Sequence, residues 1–140
     1  MDQSTSPAAK KLGIRPGARL TVLGMEPGEA VALLGGIPAD ASMDQDPNEP
    51  GDIVLLFADN LETVRRRVPA AHDLLTPDGR LWVAYRKGKT RQMAPGRDAG
   101  EVLHRDSLQR ALAEHQLVGV TLIAIDDAWS AMRVRPMKAA

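Results

Sequence analysis

Ile53-Val54-Leu55-Leu56-Phe57 is an unbroken apolar run, and its reading decides the fold. A strand with one face in water alternates apolar and polar residues, whereas a strand covered on both faces does not. The run therefore reads as a central strand of a mostly parallel sheet. Upstream, the turn chemistry of Gly13-Ile14-Arg15-Pro16-Gly17 leads into Arg19-Leu20-Thr21-Val22-Leu23-Gly24, which reads as a buried first strand. Glu29 to Leu34 is rich in helix formers and stops at Gly35-Gly36, giving a short helix. Ala39 to Met43 offers a weak second strand, and Asp44 to Asp52 is polar, proline-containing loop.

Downstream, Asp59 or Asn60 can cap a helix whose apolar stripe is Leu61, Val64, Val68, Ala71, Leu74 and Leu75. Pro69 lies inside it and is expected to kink it. Thr76-Pro77-Asp78-Gly79 is expected to end the helix in a turn, before a strand over Arg80 to Tyr85 with Leu81 and Val83 on one side. Residues 87–100 read as a basic surface loop. Asp106 is expected to cap a helix through His115, with Leu108, Ala111 and Leu112 toward the core. Val118 to Ile125 and Trp129 to Arg135 are strands joined so briefly, by Asp126 to Ala128, that they must be antiparallel. Strand and helix in this alternation give an α/β, Rossmann-like, doubly wound sheet ending in an antiparallel hairpin. Its ligand crevice lies beyond the carboxyl ends of the parallel strands. There Gly24 to Gly28, Phe57 to Asn60 and Tyr85 to Arg91 converge.

A length of 140 residues suits one core, so the expected organisation is a flexible tail over 1–11, one domain over 12–136 and a second tail over 137–140. Apolar and charged fractions of 44% and 26% are those of a globular chain. With no cysteine, thiolate chemistry and disulfides are excluded and a reducing compartment is compatible. Met1 to Lys11 lacks the apolar core of a signal peptide, and no run reaches the roughly 18 apolar residues of a membrane span. A cytoplasmic protein with no membrane association is expected. Charge is uneven: from Leu20 to Val64 there are nine acids and no Lys or Arg, and from Arg65 onward fourteen bases against eight acids. Such a split can orient an anionic ligand. His72, His104 and His115 have no metal-binding spacing, so no metal site is expected.

Thr76-Pro77-Asp78-Gly79-Arg80-Leu81-Trp82-Val83 resembles the stretch before the fifth strand of class I methyltransferases, and the closing hairpin resembles theirs too. Leu12-Gly13-Ile14-Arg15-Pro16-Gly17, Leu81-Trp82-Val83-Ala84-Tyr85-Arg86-Lys87 and Asp126-Asp127-Ala128-Trp129-Ser130 are similar to short bacterial proteins known only as a domain of unknown function. The likeness spans about residues 11–135 and implies a truncated class I, S-adenosylmethionine-dependent methyltransferase fold. Carried over residue by residue, the acid of the family's first loop is Val22 here, and its three glycines are Gly24, Glu26 and Gly28. Asp44 stands where an acid holds the ribose hydroxyls. The cofactor contacts implied by the resemblance are thus Gly24, Glu26, Gly28 and Asp44. Glu26 would repel the cofactor's own carboxylate.

No catalytic residue is assigned. Tyr85, Arg86, Lys87, Lys89, Trp129 and Ser130 form a second candidate group, for an anion at the strand ends. Trp129 alternatively fills a gap between helix and sheet. The function expected first is a non-catalytic binding or regulatory domain taking a small anionic metabolite or a protein partner. The alternative is a minimal S-adenosylmethionine-dependent methyltransferase. A third reading, weak anion or nucleic-acid binding through residues 86–97, ranks last because stacking aromatics are scarce. An exposed edge strand could support a homodimer.

Overall fold

The computed structural model describes residues 7–15, 17–36, 42–44, 51–58, 60–86, 105–126 and 128–136. The elements run α1 (Pro7–Leu12), β1 (Arg19–Leu23), α2 (Pro27–Leu34), β2 (Ser42–Asp44), β3 (Gly51–Phe57), α3 (Leu61–Asp73), β4 (Leu75–Arg86), α4 (Arg105–Ala113), β5 (Leu117–Ala124) and β6 (Trp129–Pro136). They build a six-stranded sheet in the order β2-β1-β3-β4-β6-β5. The pairs β1–β2, β1–β3 and β3–β4 are parallel, and β6 runs antiparallel to both β4 and β5. This is the mostly parallel α/β sheet with an antiparallel ending that the apolar run at 53–57 implies.

Strand β3 explains the layers. Ile53, Leu55 and Phe57 point into one cluster with Leu12 of α1 and Ala30 and Leu34 of α2. Val54 and Leu56 point into another with Val64 and Val68 of α3 and Leu108, Ala111 and Leu112 of α4. Neighbouring β4 divides likewise, Trp82 and Ala84 to the first layer and Leu81, Val83 and Tyr85 to the second. A period of two along each strand is what feeds both layers at once.

Several local readings are corrected. Residues 1–11 read as tail in the sequence, yet Pro7–Leu12 is helical, with Ala9 and Leu12 fully buried. The Trp82 indole Nε1 donates to the Leu12 carbonyl at 3.0 Å inside the core, fixing α1 to the sheet. The stretch Thr76 to Gly79 is not a turn between elements. Leu75 already pairs with Gly51 and Arg80 with Ile53, so the intervening residues form an irregularity inside β4. A β-carbon on Gly79 would lie 2.9 Å from the Gly51 carbonyl oxygen, so this approach depends on glycine. Helix α3 accordingly ends at Asp73, with Leu74 as its C-cap, before Leu75. It runs as one helix through Pro69, and Asn60 Oδ1 accepts from the Thr63 N–H at 2.8 Å as its N-cap. Asp106 lies in the first turn of α4 rather than at its cap, because the helix already begins at Arg105. The second strand forms at Ser42–Asp44, overlapping the expected 39–43 at Ser42 and Met43, while residues 39–41 lie outside the described ones.

At the other edge, β5 carries an irregularity between Gly119 and Thr121. Gln109 of α4 grips it there: its Nε2 donates to the Gly119 carbonyl and its Oε1 accepts from the Gly119 N–H, both at 3.0 Å. Arg65 of α3 holds Glu114 through two contacts of 3.1 and 3.2 Å on the surface, while Arg66 and Arg67 are exposed. Among the described residues no helix is long and apolar enough to cross a membrane.

Two substitutions test this packing. Trp82→Phe removes the donor and leaves the buried Leu12 carbonyl unpaired, so urea denaturation should show a loss of about 2 kcal/mol. Thr21 is fully buried and its Oγ1 has no hydrogen-bond partner among the described residues. Thr21→Val is isosteric and should raise stability by about 1 kcal/mol in the same assay.

Candidate functional site

The parallel register brings three strand tips to one side. Leu23 pairs with Leu56, and Phe57 with Ala84, so the loops after β1, β3 and β4 leave the sheet together. Gly24 takes a φ of 86°, a left-handed conformation that favours glycine. A β-carbon there would collide with the Phe57 carbonyl, so the β1 loop lies flush against the tip of β3. Met25 packs against the first core layer, and Glu26 follows in extended backbone as the N-cap residue of α2. The Glu26 side chain makes no capping bond and is exposed. Its carboxylate is therefore not fixed into the mouth. Gly28 is exposed, with open space around the position of a β-carbon.

Asp44 is the last residue of β2, and Thr21 stands opposite it in β1. That puts Asp44 at the carboxyl end of a strand, on the side from which the mouth opens. On the far side of β3 the hairpin strand closes the group, since Arg86 pairs with Trp129 and Tyr85 with Ser130. The Arg86 guanidinium lies 4.7 Å above the Trp129 ring, and Trp129 meets Phe57 edge to face at 5.1 Å. These contacts chain the tips of β4, β6 and β3 into one wall. Asp126 shapes the turn before it: Oδ1 accepts from the Ala128 and Trp129 N–H groups, each at 2.8 Å.

The sequence candidates thus divide. Gly24 and Glu26 sit on the β1 loop, Gly28 in the first turn of α2, Asp44 on β2, and Arg86, Trp129 and Ser130 on the opposite wall. Trp129 is buried, filling the gap between layers, with Arg86 over its face. Tyr85 is buried in the layer under α3 and α4, because strand alternation turns it toward Leu81 and Val83. Lys87, Lys89, Asp59 and the basic loop at 87–100 lie outside the described residues. Sequence reading missed the part played by Phe57, whose carbonyl and ring touch both walls; its place at the end of the apolar run was the available signal. It also missed Asp126, whose spacing before a tight connection fits an aspartate-capped turn.

No protein-family model matches this sequence. No curated protein matches it either. Solved structures do. An O-methyltransferase of neocarzinostatin biosynthesis, NcsB1, in complex with S-adenosylmethionine superposes with a TM-score of 0.65 at 16% identity, over 97% of this chain and 53% of that one. A SAM-dependent methyltransferase from Aquifex aeolicus gives 0.54 at 12% identity, covering 89% and 85%. Fibrillarin from Aeropyrum pernix, with natively bound S-adenosyl-L-methionine, gives 0.54 at 12%, covering 91% and 73%. The chain has the class I methyltransferase fold. Its methyltransferase-like sheet shows six strands among the described residues, and its mouth lies at the carboxyl ends of the parallel ones.

The flush contact at Gly24 is the local feature on which this mouth turns. Gly24→Ala should lower stability by at least about 1–2 kcal/mol, the strain of a left-handed alanine, with the Phe57 collision added. A shift of the urea midpoint by less than half of that would show that the loop relaxes freely.

Proposed function

We propose that the mouth binds S-adenosylmethionine and that the protein is a small methyltransferase dependent on it. The observation that carries this reading is the β1 loop, where Gly24 lies flush on Phe57 while the Glu26 side chain is exposed to solvent. The sequence argument against the cofactor rested on a Glu26 carboxylate facing the ligand, and an exposed, unbonded side chain is free to turn away. When bound, S-adenosylmethionine supplies a methyl group on a positively charged sulfur to an acceptor nucleophile. The backbone of Gly24 to Gly28 would face its methionine part, and Asp44 would hold the ribose hydroxyls. The N-terminal turn of α2 offers backbone N–H groups and a positive dipole end to the ligand's carboxylate. Glu26 and Glu29, both exposed near that turn, oppose this attraction. An acceptor would enter along Arg86, Trp129 and Ser130.

Glu26 opposes the cofactor's carboxylate and so leaves a second reading, in which the mouth on the side of Arg86 holds an anionic metabolite or a partner protein and no methyl is transferred. Calorimetry with S-adenosylmethionine and with its demethylated product addresses the first reading. The expected result is micromolar affinity, weakened about tenfold by Asp44→Asn. Glu26→Gln should tighten binding about two- to fivefold by removing a charge near the start of α2. No heat of binding up to about 1 mM of either compound would overturn the cofactor assignment.

A further inference from the structure

Two cavities lined by described residues lie at the opposite end of the sheet, where β1, β3 and β4 begin. One, of about 500 Å³, is lined by Gly13, Arg15, Asp52 and Arg80 among others. The other, of about 340 Å³, is lined by His72, Thr76, Gly79, Arg80, Arg133 and Arg135 together with apolar residues. Arg80 borders both.

Strand geometry gathers the arginines of the second cavity. On β6 the buried Met132 and Val134 alternate with Arg133 and Arg135, so these two leave the sheet on the other face. On β4, Arg80 precedes Leu81, and Leu81 pairs with Val134, which brings Arg80 beside the same two residues. Gly13 helps to place Arg80. Its φ is 86°, and a β-carbon on it would stand 2.6 Å from Arg80 Nη1, so the guanidinium lies against bare backbone.

Like charges so grouped repel. Burial holds the Arg133 guanidinium below the usual arginine value, and repulsion from Arg80 and Arg135 lowers it further. Among the described residues no carboxylate lines this cavity. Asp52, which lines the neighbouring cavity, is held by the backbone and by a hydroxyl rather than by these arginines: it accepts from the Arg19 N–H at 2.9 Å and from the Thr76 hydroxyl at 3.3 Å. Three cations, one of them half-buried, thus line a concave space to which the described residues bring no carboxylate.

The geometry points to a second ligand site at this end, where Arg80, Arg133 and Arg135 take the phosphate or diphosphate group of a small molecule. Guanidinium forks match tetrahedral oxyanions in pairs of parallel hydrogen bonds, and a ligand of two or more negative charges would cancel the repulsion. The cavity volume suits a small molecule rather than a polymer. Among the described residues no Phe, Tyr or Trp lines it and His72 is the one aromatic ring, so a nucleic acid would find no run of stacking rings there. This site is independent of the methyltransferase mouth.

The test titrates the full chain with inorganic phosphate, pyrophosphate and a sugar phosphate at low salt by calorimetry. Pyrophosphate should bind saturably with one site, more tightly than phosphate. Arg133→Gln should weaken it about tenfold or more, and Arg135→Gln, at an exposed position, should weaken it as well. Arg105→Gln, exposed on α4, should leave it unchanged. A sugar phosphate that outcompetes pyrophosphate would support the site and point to an organic phosphate as its ligand. Absence of saturable heat, equal weakening by Arg105→Gln, or tighter binding of a short oligonucleotide than of pyrophosphate would each overturn the proposal.

Discussion

Strand β3 must be kept from water on both faces. Its five-residue core, Ile53 to Phe57, is at most 3% exposed, and hiding each such side chain contributes about 1.5–3 kcal/mol relative to leaving it in water. One covering layer would leave half of that gain unrealised, so helices are required on both sides. Helices α1 and α2 supply one cover and α3 and α4 the other. Helical crossovers between strands also make the strands parallel, since a chain that climbs one strand and returns by a helix starts the next at the same end. Coincident tips, and therefore a single mouth, follow from the need to bury β3.

Much of this was legible in the residues because apolar runs report burial directly. The strands at 19–23, 53–57 and 80–85, the helix stripe from Leu61 to Ala71 and the hairpin around Asp126 all announce themselves by period and turn chemistry. What was not legible depends on contacts distant in sequence. Helix α1 is short and carries two lysines, and it is the core cluster of β3 and α2, with Trp82 seventy positions away, that gives its last turn a reason to pack. The Pro77-Asp78-Gly79 triplet has the composition of a loop, and it is the partner strand at Gly51 to Ile53 that draws it into β4. Of the candidate site, the loop positions were readable and the orientations were not: nothing in the sequence says that Glu26 is exposed, or that Tyr85 turns inward while Arg86 covers an indole.

The sheet order also sorts charge. The acid-rich segment from Leu20 to Val64 builds β2, β1 and β3 on one half, and the base-rich remainder builds β4, β6 and β5 on the other. A sequence that is neutral as a whole thus gives most of its acids to the segment that builds one half of the sheet and most of its bases to the segment that builds the other. The mouth straddles the seam, with Glu26 and Asp44 on one side and Arg86 on the other. The arginines at the opposite end come from β4 and β6, both built from the base-rich segment.

Gln109 matters beyond the bond it makes. An outermost strand with Val120 and Leu122 40% and 43% exposed is the type of border on which a foreign strand can zip and start fibril growth. At Gly119 the amide of a helix side chain already occupies both main-chain groups, in the manner of a partner strand one residue long. An incoming chain would meet a broken ladder there, and the fold guards its most vulnerable margin with one side chain.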